Sequence, residues 1–178
     1  MIELDHPNYK VPLSNLARPY LLISNFKHLN LQNYCYAFWV KTPTTNVIMN
    51  IGMSTGGRIG DRIYRKVGNL PGWGKNALTG DRGADMKLVV KAVEERFKHI
   101  GLKIHKDDVV LHIWDTNNLV VESFNLPTIE AEKKLFRDCK EKFGCIPAGN
   151  WQDPNNRNKE PIKKQVFNMF FEEETNEA

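Results

Sequence analysis

No stretch of this 178-residue chain approaches the ~20 consecutive apolar residues of a membrane-spanning helix. Cysteine is scarce and odd in number: Cys35, Cys139 and Cys145, with no C-x-x-C spacing. That pattern argues against a disulfide framework and fits a reducing, cytoplasmic setting. No His lies near Cys139 and Cys145 to complete a zinc site, so both read as ordinary thiols. Internal repeats and low-complexity tracts are absent. The opening Met1-Ile2-Glu3-Leu4-Asp5-His6-Pro7 has the pattern of neither a secretion signal nor a transit peptide. Charge of one sign is also in short supply, with Lys+Arg 25 against Asp+Glu 21 and a formal excess of +4. Such an excess permits a polyanionic partner without demanding one. A membrane protein and a disulfide-stapled secreted domain are thereby excluded as expectations. What remains is a chain with 41% hydrophobic and 26% charged residues, long enough to bury a core of its own.

The first thirty residues read as irregular, broken by Pro7, Pro12 and Pro19, with Leu21-Leu22-Ile23 as a short strand. Tyr34 to Val40 is aromatic and apolar, Lys41 to Asn46 is a polar turn, and Val47 to Ile51 is apolar again. This spacing predicts a β-hairpin. Asp61 then reads as the cap of a helix over Arg62–Val67. Met86 to Ile100 carries Leu88, Val89, Ala92, Val93, Phe97 and Ile100 at helical spacing, stopped by Gly101. Asp108 to Trp114 alternates as a strand, with Val109, Leu111 and Ile113 on one face and Val110, His112 and Trp114 on the other. Thr128 caps a last helix over Ile129–Phe143. The order β-β-α-α-β-α implies an α+β fold with a small, mainly antiparallel sheet flanked by helices. Residues 1–33 form an N-terminal arm, 34–150 the domain, and 151–178 a loop-like tail with an acidic end.

Three separated segments carry groups suited to phosphate chemistry. The hairpin holds Tyr36 in one strand and Asn50-Ile51-Gly52 in the other. The next helix sets Arg58, Arg62, Arg65 and Lys66 around Tyr64. The last helix holds Glu132 and is followed by Pro147-Ala148-Gly149-Asn150. Taken singly, Tyr36 reads as core, the basic helix as a solvated face, Glu132 as a surface carboxylate and Asn150 as a turn residue. Their occurrence together and in this order carries the functional reading.

That order resembles the GIY-YIG nuclease superfamily over roughly Tyr34 to Asn150. Tyr34-Cys35-Tyr36 stands where the family has Gly-Ile-Tyr, and Asn50-Ile51-Gly52 where it has Tyr-Ile-Gly. Arg62 to Lys66 resembles its arginine helix, with Lys66 at the His/Tyr position. Glu132 to Arg137 resembles its glutamate helix, and Phe143 to Asn150 its closing Pro/Asn segment.

The resemblance implies a metal-dependent endonuclease hydrolysing phosphodiester bonds in double-stranded DNA, of a compact restriction or phage type. Its alternative is a non-catalytic nucleic-acid-binding module that retains the fold. The implied catalytic set is Tyr36, Arg62, Tyr64, Lys66, Glu132 and Asn150, with Glu132 holding one Mg²⁺ or Mn²⁺ and Glu130 the alternative ligand. Asn50 has no phenol, so the hydroxyl at the attacking water falls to Tyr36, or to Tyr64. Tyr64 follows Arg62 by two positions, about 200° around a regular helix, which favours Tyr36. Arg58, Arg65, Lys140 and Lys163 are the expected DNA-backbone contacts, and Trp73 and Trp151 are candidates to stack on bases. A homodimer is left open.

Overall fold

The computed structural model describes residues 2–26, 31–43, 45–55, 59–77, 85–117, 127–150 and 152–156. Eight elements follow in chain order: β1 (Tyr9–Pro12), α1 (Leu21–Phe26), β2 (Tyr34–Lys41), β3 (Asn46–Ser54), α2 (Ile59–Gly68), α3 (Asp85–Arg96), β4 (Val109–Asp115) and α4 (Pro127–Phe143). They build an α+β fold on one four-stranded sheet of order β1-β4-β2-β3, in which the three neighbouring pairs are antiparallel.

The hairpin forms as its pattern demands. Thr42 and Thr45 close the turn with paired backbone and hydroxyl hydrogen bonds, and the two strands pair from Lys41↔Asn46 to Tyr34↔Ser54 with one shift of register between Trp39 and Phe38. Alternation along β4 sends Val109, Leu111 and Ile113 to one face. There they join Tyr34, Tyr36, Phe38 and Val40 of β2, over Ile63 and Val67 of α2 and Val89 and Val93 of α3. The opposite face sends Cys35, Ala37 and Trp114 against Ala131, Leu135, Phe136 and Cys139 of α4. Two layers of apolar side chains thus sandwich the sheet, which fixes its register because a one-residue slip would reverse every face.

Several local expectations are corrected. Leu21-Leu22-Ile23 lies in a helix, not a strand, because Leu22 is buried while Ile23 and Ser24 face out, as a helical turn allows. The arm is not wholly irregular: Tyr9–Pro12 pairs with Pro12↔Val110 through Tyr9↔Ile113 at the sheet edge, where Pro12 is tolerated. The helix expected to run to Ile100 stops at Arg96, and a 3-10 turn at Lys98–Ile100 ends on Gly101 at φ 69°. Leu88, within the helix, and Ile100, beyond its end, are both exposed, outside the apolar stripe assigned to them. Thr128 lies inside α4 instead of capping it, with its hydroxyl 2.8 Å from that of Thr116. The helix expected to start after an Asp61 cap already begins at Ile59. Among the described residues no helix is long and apolar enough to cross a membrane.

Candidate active site

The middle of the hairpin gathers most of the motif. Tyr36 pairs with Gly52 and Phe38 with Asn50, after which the register shifts so that Trp39 pairs with Ile48. Met49 is the extra residue of a β-bulge, and its effect is on side-chain direction. Before the bulge Val47 and Met49 join the Tyr36 layer and Ile48 the α4 layer; beyond it Ile51 joins the α4 layer. Asn50 and Gly52 therefore share the face of their partners Phe38 and Tyr36. A regular strand would have turned them away.

The Tyr36 phenol lies across Gly52. A Cβ built there would run into its Cζ and hydroxyl, so only glycine fits beneath the ring. Phe38 stands edge-on to the same ring at 5.8 Å, and Tyr34 lies 6.4 Å away on the other side. Tyr36 is 3% exposed and Asn50 7%. Both are core groups as well as candidates for chemistry.

The closing segment latches onto the outer edge of β3. The Gly149 N–H donates to the Met49 carbonyl at 2.7 Å, at the bulge itself. Asn150 Oδ1 accepts from the Ile51 N–H at 2.8 Å, and its Nδ2 donates to the Ile51 carbonyl at 2.9 Å. This side chain thereby imitates a strand neighbour and caps an edge that would otherwise be open. Gly149 is pinched between that Met49 carbonyl, 2.5 Å from where its Cβ would sit, and Val89 of α3. That constraint is invisible in the sequence, where a Gly beside Asn150 reads equally well as a turn.

On α2, Ile63 and Val67 face the core and Tyr64 is half-buried beside them. The Arg65 guanidinium lies 5.9 Å over the Tyr64 ring, and Lys66 is half-buried in the last turn. Position 62 lies four residues, about one turn, before Lys66 on α2. The Arg62 side chain, Arg58, Trp151 and Lys163 lie outside the described residues.

Glu132 is half-buried on α4 and belongs to the opposite layer from Tyr36. Its charge is felt at Cys35, whose thiol is pushed far up first by burial and then by Glu132. The Cys35 Sγ–H donates to the Thr128 carbonyl at 3.5 Å. Tyr36 and Glu132 thus approach the hairpin from two sides of the sheet, not from one shared wall. Among the described residues no cluster of three His, Cys, Asp or Glu side chains could hold a metal ion. A single carboxylate with waters and phosphate oxygens completing the shell is the arrangement Mg²⁺ commonly accepts, and Glu132 fits that donor set. Glu130 instead has Lys133 4.0 Å away.

The basic row of α4 is largely engaged. Lys133 faces Glu130, Lys134 pairs with Asp138, Lys142 with Asp5 at 2.6 Å, and Lys140 closes on Asp153. Asp153 is buried and also accepts from the Asn155 N–H at 2.9 Å. Lys140, expected at the DNA backbone, fastens the chain beyond Asn150 to α4. Trp73 is not a stacking surface either. It is 4% exposed, its Nε1–H donates to the Val67 carbonyl at 2.8 Å, and the Lys106 ammonium sits 4.5 Å over its ring.

Comparison with protein-family models, curated proteins and solved structures finds no match. The reading of this site therefore rests on its residues and their geometry.

Proposed function

We propose that this chain is a phosphodiester hydrolase of the GIY-YIG type, cutting double-stranded DNA with one Mg²⁺ or Mn²⁺. What supports the reading is the convergence on the hairpin: the phenol of Tyr36 bedded on Gly52, Asn50 turned to the same face by the bulge, and Asn150 fastened to Ile51 between them. The two hairpin strands and Asn150, about a hundred residues further along the chain, meet there.

In this reading the Tyr36 hydroxyl accepts a hydrogen bond from the attacking water and orients it in line with the phosphorus. Arg62, one turn from Lys66 on α2, meets the non-bridging phosphoryl oxygens with its donor fork as their charge grows. Glu132 would hold the metal ion, which would supply Lewis-acid relief of that charge; because Glu132 lies on the opposite face of the sheet from Tyr36, the phosphate would have to reach both faces at the hairpin edge. Asn150 positions the Ile51–Gly52 backbone and hence the bed of the phenol. The second reading, a nucleic-acid-binding module without catalysis, is favoured by the burial of Tyr36 and by Asn50 standing where a phenol is expected.

Supercoiled plasmid incubated with Mg²⁺ or Mn²⁺, with and without chelator, separates the two. Nicking is expected from the wild type, abolished by chelator and reduced at least about 100-fold in Glu132→Gln and in folded Tyr36→Phe, as loss of a positioned acid–base group would give. Wild-type protein that binds DNA and leaves the plasmid intact favours the second reading. Full cleavage by Tyr36→Phe overturns the role given to that phenol.

A further inference from the structure

The α4 side of the sheet holds a cavity that the proposed hydrolysis does not use. Its volume is about 440 Å³, and its floor includes Trp39 of β2 and His112 of β4, the two central strands. Lys10 of β1, Lys41 of β2 and Lys142 of α4 stand around it, with Asp5 against Lys142. It lies toward the β2–β3 turn, the end of the hairpin away from Tyr34 and Ser54.

Three observations bear on what this cavity takes. First, Lys10 and Lys41 are exposed and have no ion-pair partner among the described residues, unlike the lysines of α4. Lys142 makes an exposed pair with Asp5, of a kind that opens at little cost, and its ammonium lies 5.5 Å from the centroid of the Phe143 ring. The rim is thus cationic and available to an anion. Second, the floor is aromatic. The Trp39 and His112 rings lie 5.3 Å apart at 33°, and both are half-buried. Burial first, and then the nearby Lys10 charge, lower the His112 pKa to about 4 against an opposing pull from Asp5. The imidazole is therefore a neutral ring at physiological pH, and the rim lysines supply the attraction for anions. Third, Trp39 Nε1 and His112 Nδ1 are both buried without a hydrogen-bond partner, an unusual concentration of unmet polar groups on one floor.

We propose that this cavity binds a single-stranded nucleic-acid segment, with one unstacked base on the Trp39–His112 floor and the flanking phosphates against Lys10 and Lys41. A four-stranded sheet with rings on its central strands and cations beside them is a platform for unpaired bases, since duplex bases are already stacked and paired. The volume suits about one nucleotide, within the ~300–1,000 Å³ of small-ligand sites. The proposal goes beyond hydrolysis and stands or falls separately from it.

The test is fluorescence anisotropy of a fluorescein-labelled eight-nucleotide oligo(dT), titrated with the full chain in EDTA so that cleavage cannot contribute. Two phosphate contacts predict a slope of about −1.4 in log K against log salt. Lys10→Gln with Lys41→Gln is expected to weaken oligo(dT) binding at least tenfold while leaving the affinity for a duplex unchanged. Trp39→Ala is expected to lose about 5- to 150-fold, the span of one stacked base, and Trp39→Phe to stay within a few-fold of wild type. Competition by dTMP but not by inorganic phosphate is expected. Unchanged oligo(dT) affinity in the lysine pair, whose side chains are exposed and whose loss leaves the core intact, overturns the proposal. Competition by inorganic phosphate as strong as by dTMP also overturns it, reducing the cavity to an anion site.

Discussion

At Gly52 the hairpin leaves no room for a side chain. An added methyl group meets the Tyr36 ring, and that ring cannot simply swing away, because Tyr34 and Phe38 stand on either side of it. Gly52→Ala is therefore expected to destabilise the fold by about 1–3 kcal/mol, the usual range for overpacking a filled core. A double-mutant cycle read by urea denaturation isolates the cause. In a Tyr36→Ala background the Gly52→Ala change should cost nothing further, because its obstacle has gone. Additive losses would place the cost in the strand backbone instead of in the phenol. This pair also marks how much of the site was legible. Tyr36 and Gly52 could be assigned to the two strands of one hairpin from the sequence, but the register set by Lys41↔Asn46 and Val40↔Val47 would put Ile51 opposite Tyr36, and only the bulge brings Gly52 there. That Asn50 faces the same way could not be read either, because it depends on the bulge at Met49, and a bulge leaves no mark on an apolar run such as Val47-Ile48-Met49.

At the scale of elements, patterns strong enough to decide their own structure were readable: the hairpin, β4 with its two faces, and the long helix over Glu132. What escaped were elements decided by partners. Tyr9-Lys10-Val11-Pro12 alternates but, at four residues ending in proline, is too short to declare itself, and it is a strand because β4 offers it an edge. The Glu3 carbonyl accepts from Trp114 Nε1–H at 2.8 Å, and buried Leu4 donates its N–H to Asp138 at 3.1 Å. The start of the chain is thus tied to both β4 and α4. Deleting residues 1–12 is expected to uncover Trp114, now fully buried, and to open the β4 edge to pairing between molecules. Light scattering should detect association, and the thermal midpoint should fall. A truncated protein that stays monomeric with an unchanged midpoint would make β1 dispensable. The cationic surface escaped for a related reason. The basic run Lys133 to Lys142 looked like a DNA-facing row, yet its acids lie on Glu130, Asp138, Asp5 and Asp153, only two of them within the helix stretch itself.

Across the whole molecule, two ionisable groups, half-buried His112 on β4 and buried Asp153 beyond Asn150, set opposite ends of the acid response. The imidazole of His112 has its pKa lowered to about 4, first by burial and then by Lys10, whereas an unfolded chain would hold it near ~6.5. Between those values the unfolded state binds a proton that the folded state refuses, so stability is full above pH ~6.5 and falls as the pH drops toward about 4. Asp153 behaves differently. Burial alone would raise its pKa, but hydrogen bonds from Lys140 and Asn155, with the Lys140 charge, outweigh it and hold the carboxyl below its ordinary range. Its contribution is present above the unfolded value of ~3.9 and is lost as the pH falls through the lower folded one. The two windows adjoin without overlapping, so urea midpoints measured from pH 7.5 to 2.5 can tell them apart. His112→Phe keeps a ring against Trp39 and should flatten the curve between pH ~6.5 and 4 while leaving the steeper loss below it. Asp153→Asn should do the reverse, from a lower starting stability because Lys140 loses its carboxylate. Parallel wild-type and His112→Phe curves through the upper window would mean that His112 takes up its proton without opposing the fold. The floor on which the nucleic-acid proposal rests would then be charged, not neutral, in mild acid.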